Sequence, residues 1–157
     1  MYNTALRIMH DSFEAEDVMQ EAFLNAFIKL ETFKGEVTFG AWLKRIVINK
    51  CLTQLKKNSR FDEVKLELVE NKVVANDEEI VKNEKMNYTN LKAKEVIKTI
   101  GKLKENYRIA LTLSLIEGFD NEEVSSIMKI SNENCRTTIS RAKNKLRALL
   151  AESTMVN

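Results

Sequence analysis

Proline is absent from this 157-residue chain and glycine occurs only four times. Without those breakers, long helices joined by few tight turns are the default. Histidine occurs once, at His10, and the two cysteines, Cys51 and Cys135, stand far apart with no C-x-x-C spacing. A zinc site would lack nitrogen and sulfur ligands, so no metal and no cofactor is expected, and both thiols read as small core residues. No apolar run approaches the roughly 18–20 residues of a membrane span, and the N-terminus has no basic segment followed by an apolar one. Membrane insertion is therefore not expected, and the cytoplasm is. With one histidine and no phosphate-cradling glycine loop, no catalytic constellation can be assembled, which makes an enzyme the least expected class.

What is present is the balance of a folded protein, 44% hydrophobic and 31% charged residues, in a chain long enough for one domain or two small ones. Net charge is only +2, but the charges fall in blocks. Residues 1–31 carry six acids against two bases, and residues 41–60 carry six bases and no acid. The stretch 62–90 is acidic again, with eight acids against four bases, and residues 129–150 carry six bases against Glu133 alone. A single block is explained by a solvated face. Two basic blocks flanking an acidic connector point to polyanion contact.

The hydrophobic pattern predicts an all-α fold of two small helical domains joined by a flexible linker, with boundaries at 1–58, 59–90 and 91–157. Asp11-Ser12-Phe13-Glu14 has the form of a capping box, followed by an apolar stripe of Val18, Met19, Ala22, Phe23, Ala26, Phe27 and Leu30. Asp17, Gln20, Glu21 and Asn25 lie opposite. TFKGEVTFG, residues 32–40, breaks the period and reads as a loop. Beyond it Trp42, Leu43, Ile46, Val47, Cys51 and Leu55 recur at helical spacing. Residues 60–90 keep no sustained period and read as the linker, with one short helix after Asp77.

Two further helices are predicted, from Leu91 to Leu103 and from Tyr107 to Ile116, separated around Lys104. Gly118 ends the second, Asp120-Asn121-Glu122-Glu123 forms another capping box, and a short helix with Val124, Ile127 and Met128 inward leads to the turn Lys129-Ile130-Ser131. Ser131 or Asn132 then caps a last helix whose Cys135, Ile139, Ala142, Leu146 and Leu149 repeat by four and three. Short helix, turn, longer basic helix is the helix-turn-helix order. The outward residues Asn134, Arg136, Thr137, Thr138, Ser140 and Arg141 are of types that read base edges and phosphates in a major groove. The competing explanation is an ordinary amphipathic surface helix.

The segment IEGFDNEEVSSIMKISNENCRTTISRAKNKLRALL resembles region four of bacterial sigma factors of the extracytoplasmic-function group, the domain that grips the minus-thirty-five promoter element. The segment EAEDVMQEAFLNAFIKLETFKGEVTFGAWLKRIVINKCLTQLKK resembles region two of the same group. Both in this order, across a variable linker, are far more specific than either alone. The resemblance implies a subunit that binds core RNA polymerase, reads promoter DNA and stabilises its melted form, with an anti-sigma protein as a further partner.

Carried over by position, it assigns Asp17, Gln20 and Glu21 to polymerase binding. Lys34, Gly35, Glu36, Val37, Thr38 and Phe39 are assigned to a loop that captures a flipped base of the minus-ten element. Trp42, Arg45, Asn49 and Lys50 go to the adjoining DNA-binding helix, with Lys44 and Lys56 on phosphates, and Arg136, Thr137, Thr138 and Arg141 to recognition. For Trp42 the first explanation is a core tryptophan, and a role in holding open DNA is the alternative.

Three departures from the family pattern carry expectations of their own. Leu103-Lys104 stands where the family has Leu-Pro, so the helix there is expected to run on. Cys135 replaces a valine in the same buried slot. The chain opens directly on MYNTALRIM, where family members carry a further helix, so the start reads as truncated. Leu6, Ile8, Phe23 and Phe27 are then expected to lack partners and to promote self-association. The rival functions are a helix-turn-helix regulator that acts without core polymerase, and a degenerate protein-binding module that titrates an anti-sigma factor.

Overall fold

The computed structural model describes residues 1–65 and 88–155, and all regular structure among them is helical. They form two compact units divided between residues 75 and 76. The first holds α1 (Tyr2–Met9), α2 (Ser12–Ile28), a 3-10 turn at Leu30–Thr32 and α3 (Phe39–Lys65). The second holds α4 (Tyr88–Gly101), α5 (Glu105–Leu111), a π-helical turn at Thr112–Ile116, α6 (Asn121–Met128) and α7 (Asn132–Met155). The first residues of the expected linker are thus the end of α3, and the short helix expected after Asp77 lies outside the described residues.

In the first unit the three helices pack on one another. Asp11 caps α2 by accepting from the Glu14 amide at 3.0 Å. The reciprocal half of a capping box is replaced, because the Glu14 carboxylate accepts from Asn58 Nδ2 of α3 at 2.7 Å, and Gln54 Nε2 donates to the Asn58 amide oxygen at 3.2 Å. Helix α1 ends on His10 in the left-handed conformation, φ 59°, with its amide donating to the Leu6 carbonyl. The core is Ala5, Ile8 and Met9 of α1, Ala15, Val18, Ala22 and Ala26 of α2, and Leu43, Val47, Ile48 and Cys51 of α3.

Two expectations are corrected here. Ile8 is fully buried, so it does not lack partners. The buried stripe of α2 is also rotated from the one predicted. Ala15, Val18, Ala22 and Ala26 face inward, while Phe23, Phe27 and Leu30 are exposed and Met19 is half-buried. Small side chains at spacings of three and four let helices approach closely, and a phenylalanine stripe would hold them apart.

In the second unit α5 and α6 pack on α7, and α4 packs on α5 and α7. Ile100, Leu103, Ile109, Leu111, Leu113, Val124, Ile127, Cys135, Ile139, Ala142 and Leu146 form its core. Helix α4 does not run on. It stops at Gly101, closed by Lys102 and Leu103 amides that donate to the Thr99 and Ile100 carbonyls. Lys104, at φ −60° and ψ 154°, takes the extended N-cap conformation that a proline would also fit, and its ammonium lies 4.4 Å from the Tyr107 ring centre.

Both cysteines are buried, as expected, and burial pushes the Cys51 thiol up to about 12, so it stays protonated and unreactive. Thr112, at the start of the π-helical turn, is fully buried and its hydroxyl finds no hydrogen-bond partner. An unsatisfied buried hydroxyl costs desolvation with no return, so the near-isosteric Thr112→Val is expected to stabilise the protein by roughly 1 kcal/mol. Urea unfolding checks the sign; a loss of stability would show that the hydroxyl is satisfied in solution.

Candidate functional site

Helix α2 turns its small-residue stripe inward and leaves the opposite face exposed. Asp17, Gln20 and Glu21 are exposed on the opposite side, and the helical repeat places Leu24 and Ile28 on the same face. These two are 65% and 76% exposed, and Phe13 and Phe27 beside them are 80% and 78% exposed. The face is therefore a mixture of carboxylates and large apolar side chains, the composition of a docking surface and not of a solvated one. Sequence reasoning found the acids and missed Leu24 and Ile28. The signal was the i, i+3, i+4, i+7 spacing from Asp17, hidden because Phe23 and Phe27 were counted as core.

The loop between α2 and α3 carries Lys34, Gly35, Glu36, Val37 and Thr38, and Phe39 is the first residue of α3; all are exposed. Gly35 sits at φ +73°, a backbone conformation that side chains rarely adopt. Thr38 opens α3, its Oγ1 accepting from the Ala41 amide at 3.3 Å and its carbonyl from the Trp42 amide. Its hydroxyl acceptor is thus already engaged in capping. Phe33, Phe39 and Trp42 form an aromatic cluster, with ring centres 5.3–5.7 Å apart. Trp42 is half-buried in that cluster, outside the helical core, and Phe33 is a residue that sequence reasoning missed. The two phenylalanines that bracket KGEVT were the available clue.

Along α3 the structure groups Trp42, Arg45, Asn49 and Lys56 on one outward side, at spacings of three, four and seven. Lys50 is turned away from that side toward α2, where its ammonium pairs with the Glu21 carboxylate. The Lys50 hydrogen bond and charge hold the Glu21 carboxyl below its ordinary range, and Lys57 adds a weaker pull.

In the second unit Asp120 and Glu123 form the full capping box. The Glu123 amide donates to Asp120 Oδ1 at 2.8 Å, and the Asp120 amide to Glu123 Oε2 at 2.9 Å. Helix α6 ends on Lys129, φ 56°, and α7 starts on Ser131, whose Oγ accepts from the Asn134 amide. Two bonds cross between the helices: Ser125 Oγ donates to Asn132 Oδ1 at 2.6 Å, and Cys135 Sγ donates to the Asn121 carbonyl at 3.4 Å. A non-glycine residue in the left-handed conformation costs roughly 1 kcal/mol, so Lys129→Gly is expected to raise the thermal midpoint of the second unit. Calorimetry checks it.

Helix α7 buries Cys135, Ile139, Ala142 and Leu146. Thr137 and Arg141 share its outward face, and Thr138 is half-buried on one flank. Arg136 lies on the other flank, where it lines an open groove of about 290 Å³ with Asn121, Ile139, Ser140, Lys143 and Arg147. The four expected recognition residues are thus spread over three sides of the helix. The groove's three cations suit phosphate, so Arg147→Ala is expected to weaken duplex binding alike for all sequences and to reduce the salt slope by about one. Titration at several salt concentrations reads both.

Among the described residues no group of histidine, cysteine and carboxylate side chains could hold a metal ion, and no helix is long and apolar enough to cross a membrane.

Comparison with known proteins adds to this geometry. Residues 1–61 match the family model for sigma-70 region 2, and residues 93–146 match that for sigma-70 region 4. The chain is 31% identical to the extracytoplasmic-function RNA polymerase sigma-E factor of Escherichia coli K12, over 87% of this chain and 76% of that one. It is also 31% identical to the RNA polymerase sigma-H factor of Pseudomonas aeruginosa, over 90% and 75%. Among solved structures it resembles the sigma factor RpoE in complex with the anti-sigma factor NepR from Bartonella quintana, with a TM-score of 0.67, 23% identity, and 96% and 89% of the two chains covered. CnrH in complex with the cytosolic domain of CnrY is similar at a TM-score of 0.55 and 25% identity, covering 96% and 80%.

Proposed function

Because the chain belongs to the sigma-70 family of RNA polymerase sigma factors, in the extracytoplasmic-function group, we propose that its two units divide initiation between docking on polymerase and gripping DNA. The chain is a sigma factor for transcription initiation. Its action is binding and positioning, and the bond-making chemistry belongs to the polymerase. The observation that carries the assignment of roles is the α2 face, where exposed carboxylates and large apolar side chains occur together on a helix that also packs against a basic one. A regulator that acts on duplex DNA alone has no use for that face.

In this proposal residues 1–58 bind polymerase and the minus-ten element, 59–90 connect, and 91–157 bind the minus-thirty-five element, all in the cytoplasm. Asp17, Gln20, Glu21, Leu24 and Ile28 dock on the polymerase. The loop from Lys34 to Phe39 receives an extruded base, and the aromatic cluster of Phe33, Phe39 and Trp42 supplies a surface on which it can stack. Arg45, Asn49 and Lys56 follow the opened strand. Thr137 and Arg141 read base edges in the major groove, since arginine donates bidentately to guanine and the threonine methyl meets thymine. Arg136 stands with Lys143 and Arg147 beside the phosphates, and Thr138 supports the flank.

An anti-sigma protein is the further proposed partner, competing for these exposed faces; the anti-sigma complex among the similar structures supports it. The deciding experiment is run-off transcription with core polymerase on a promoter library, together with co-purification of the chain with core polymerase. Promoter-specific transcripts that require the chain support the assignment. Duplex DNA binding without polymerase association would mark a stand-alone regulator, and polymerase or inhibitor binding without any salt-dependent DNA binding a titrating module. Sedimentation at high concentration tests whether Phe23 and Phe27 also bring two copies together.

A further inference from the structure

Glu21 and Lys50 were assigned to different partners, the acid to polymerase and the lysine to DNA. The structure pairs them with each other. The cause is geometric. Helix α2 packs its alanine stripe against α3, which brings the helices close, and Lys50 lies to one side of the row formed by Trp42, Arg45, Asn49 and Lys56. Its long side chain reaches across to the carboxylate of α2. The Lys50 side chain is 23% exposed and that of Glu21 is 55% exposed, so the lysine is mostly covered and the acid faces outward.

An ammonium already neutralised by an adjacent carboxylate gains less from a phosphate, and that carboxylate gains less from a new cation. We propose that the Glu21–Lys50 ion pair is an internal latch that couples the two binding faces of the first unit. In the free chain each residue satisfies the other. A cationic group of the polymerase that takes Glu21 as its counter-ion frees Lys50 to reach a phosphate of the opened strand. Coupling of this kind is reciprocal, so opened DNA held by Lys50 equally strengthens the hold on polymerase. The first ligand breaks the pair and the second meets it already broken. This inference rests on the division of roles proposed above.

The pair is at the surface and screened by salt, so the coupling is modest, about two- to fivefold in affinity at low ionic strength. The test uses the full chain, without polymerase, in anisotropy titrations of a fluorescein-labelled single-stranded DNA of mixed sequence. Glu21→Gln is expected to tighten binding by about two- to fivefold, and the gain is expected to vanish when Lys50→Met is added. No gain, or an equal gain in both backgrounds, overturns the latch; an equal gain would mean that the acid acts only through net charge. Circular dichroism establishes that each variant is helical, with Glu21→Ala as the second variant should Glu21→Gln fail.

A separate arm addresses the roles beneath the latch. Polymerase reconstituted with Lys50→Met is expected to melt promoters less readily than with the unaltered chain. Unaltered melting would remove Lys50 from the DNA interface, and the latch with it. Impaired melting without any Glu21→Gln gain in the free chain would overturn the latch and leave the division of roles intact.

Discussion

Arg141→Ala is expected to cut run-off transcription from the best promoters of a library by about 5- to 150-fold, corresponding to about 1–3 kcal/mol, with the loss concentrated at a single base position. The reason is the exposed position of Arg141 on α7, away from the buried Cys135, Ile139, Ala142 and Leu146. A side chain there meets base edges when the helix lies in a major groove, and a bidentate arginine contact is lost whole when the guanidinium is removed. Stability should hardly change, because the residue is exposed. Arg147→Ala, on the groove flank, serves as the contrast, since a lost phosphate contact lowers all promoters together. If Arg141→Ala gave the same uniform loss, the base-reading role would pass to another residue. If Arg136→Ala, not Arg141→Ala, changed promoter choice, the flank and the face would have to exchange roles.

The second large effect concerns α2. Leu24→Ala is expected to weaken core polymerase binding by about 2 kcal/mol, near thirtyfold, while leaving folding stability within about 0.5 kcal/mol. Leu24 lies between Gln20 and Ile28 on an exposed face, so the side chain has little to lose on truncation until a partner covers it. Two residues away the expectation reverses. Ala22 is fully buried in the stripe that packs on the neighbouring helices, and Ala22→Leu should overpack it and cost about 1–3 kcal/mol of stability. Paired measurements of urea unfolding and polymerase binding separate the two. A Leu24→Ala variant that unfolds more readily but binds polymerase normally would return Leu24 to the core and dissolve the proposed docking face.

The contrast between Leu24 and Ala22 also shows where sequence patterning stops. Caps were legible because they depend on residues three positions apart: the Asp120–Glu123 box forms as predicted, and Asp11 caps α2. The short helix, turn and long helix were legible for the same reason, as were both buried thiols. The orientation of α2 was not, because two stripes on that helix satisfy the helical period. Hydrophobicity alone favours the one with phenylalanines, yet close packing of α1 and α3 selects the alanines, and that preference belongs to the neighbours and not to α2. The break between α4 and α5 was legible in the apolar pattern, which separates the two helices around Lys104; only the missing proline argued against it, and Lys104 reaches by ordinary torsion angles the conformation that proline imposes. Lys50 was grouped with the other bases of its helix because its partner lies 29 positions away, on another element. In α7 the residue types pointed to an exposed surface, while the spread of Arg136, Thr137 and Thr138 over different sides follows from the angle of each about the axis.

The two bonds that cross from α6 to α7, through Ser125 and Cys135, bear on how such a protein can change its targets. Both lie on the inner side of the helix pair and involve none of the outward residues Thr137 and Arg141. If α7 reads DNA as proposed, the frame that sets its angle is chemically separate from the residues that do the reading. On that proposal, substitutions on the outer face alter which promoter is preferred while the frame stays assembled, and little ordering is left to be done when DNA arrives. On the proposed division of roles, such a chain can drift from one set of promoters to another by single exposed changes that leave its fold intact.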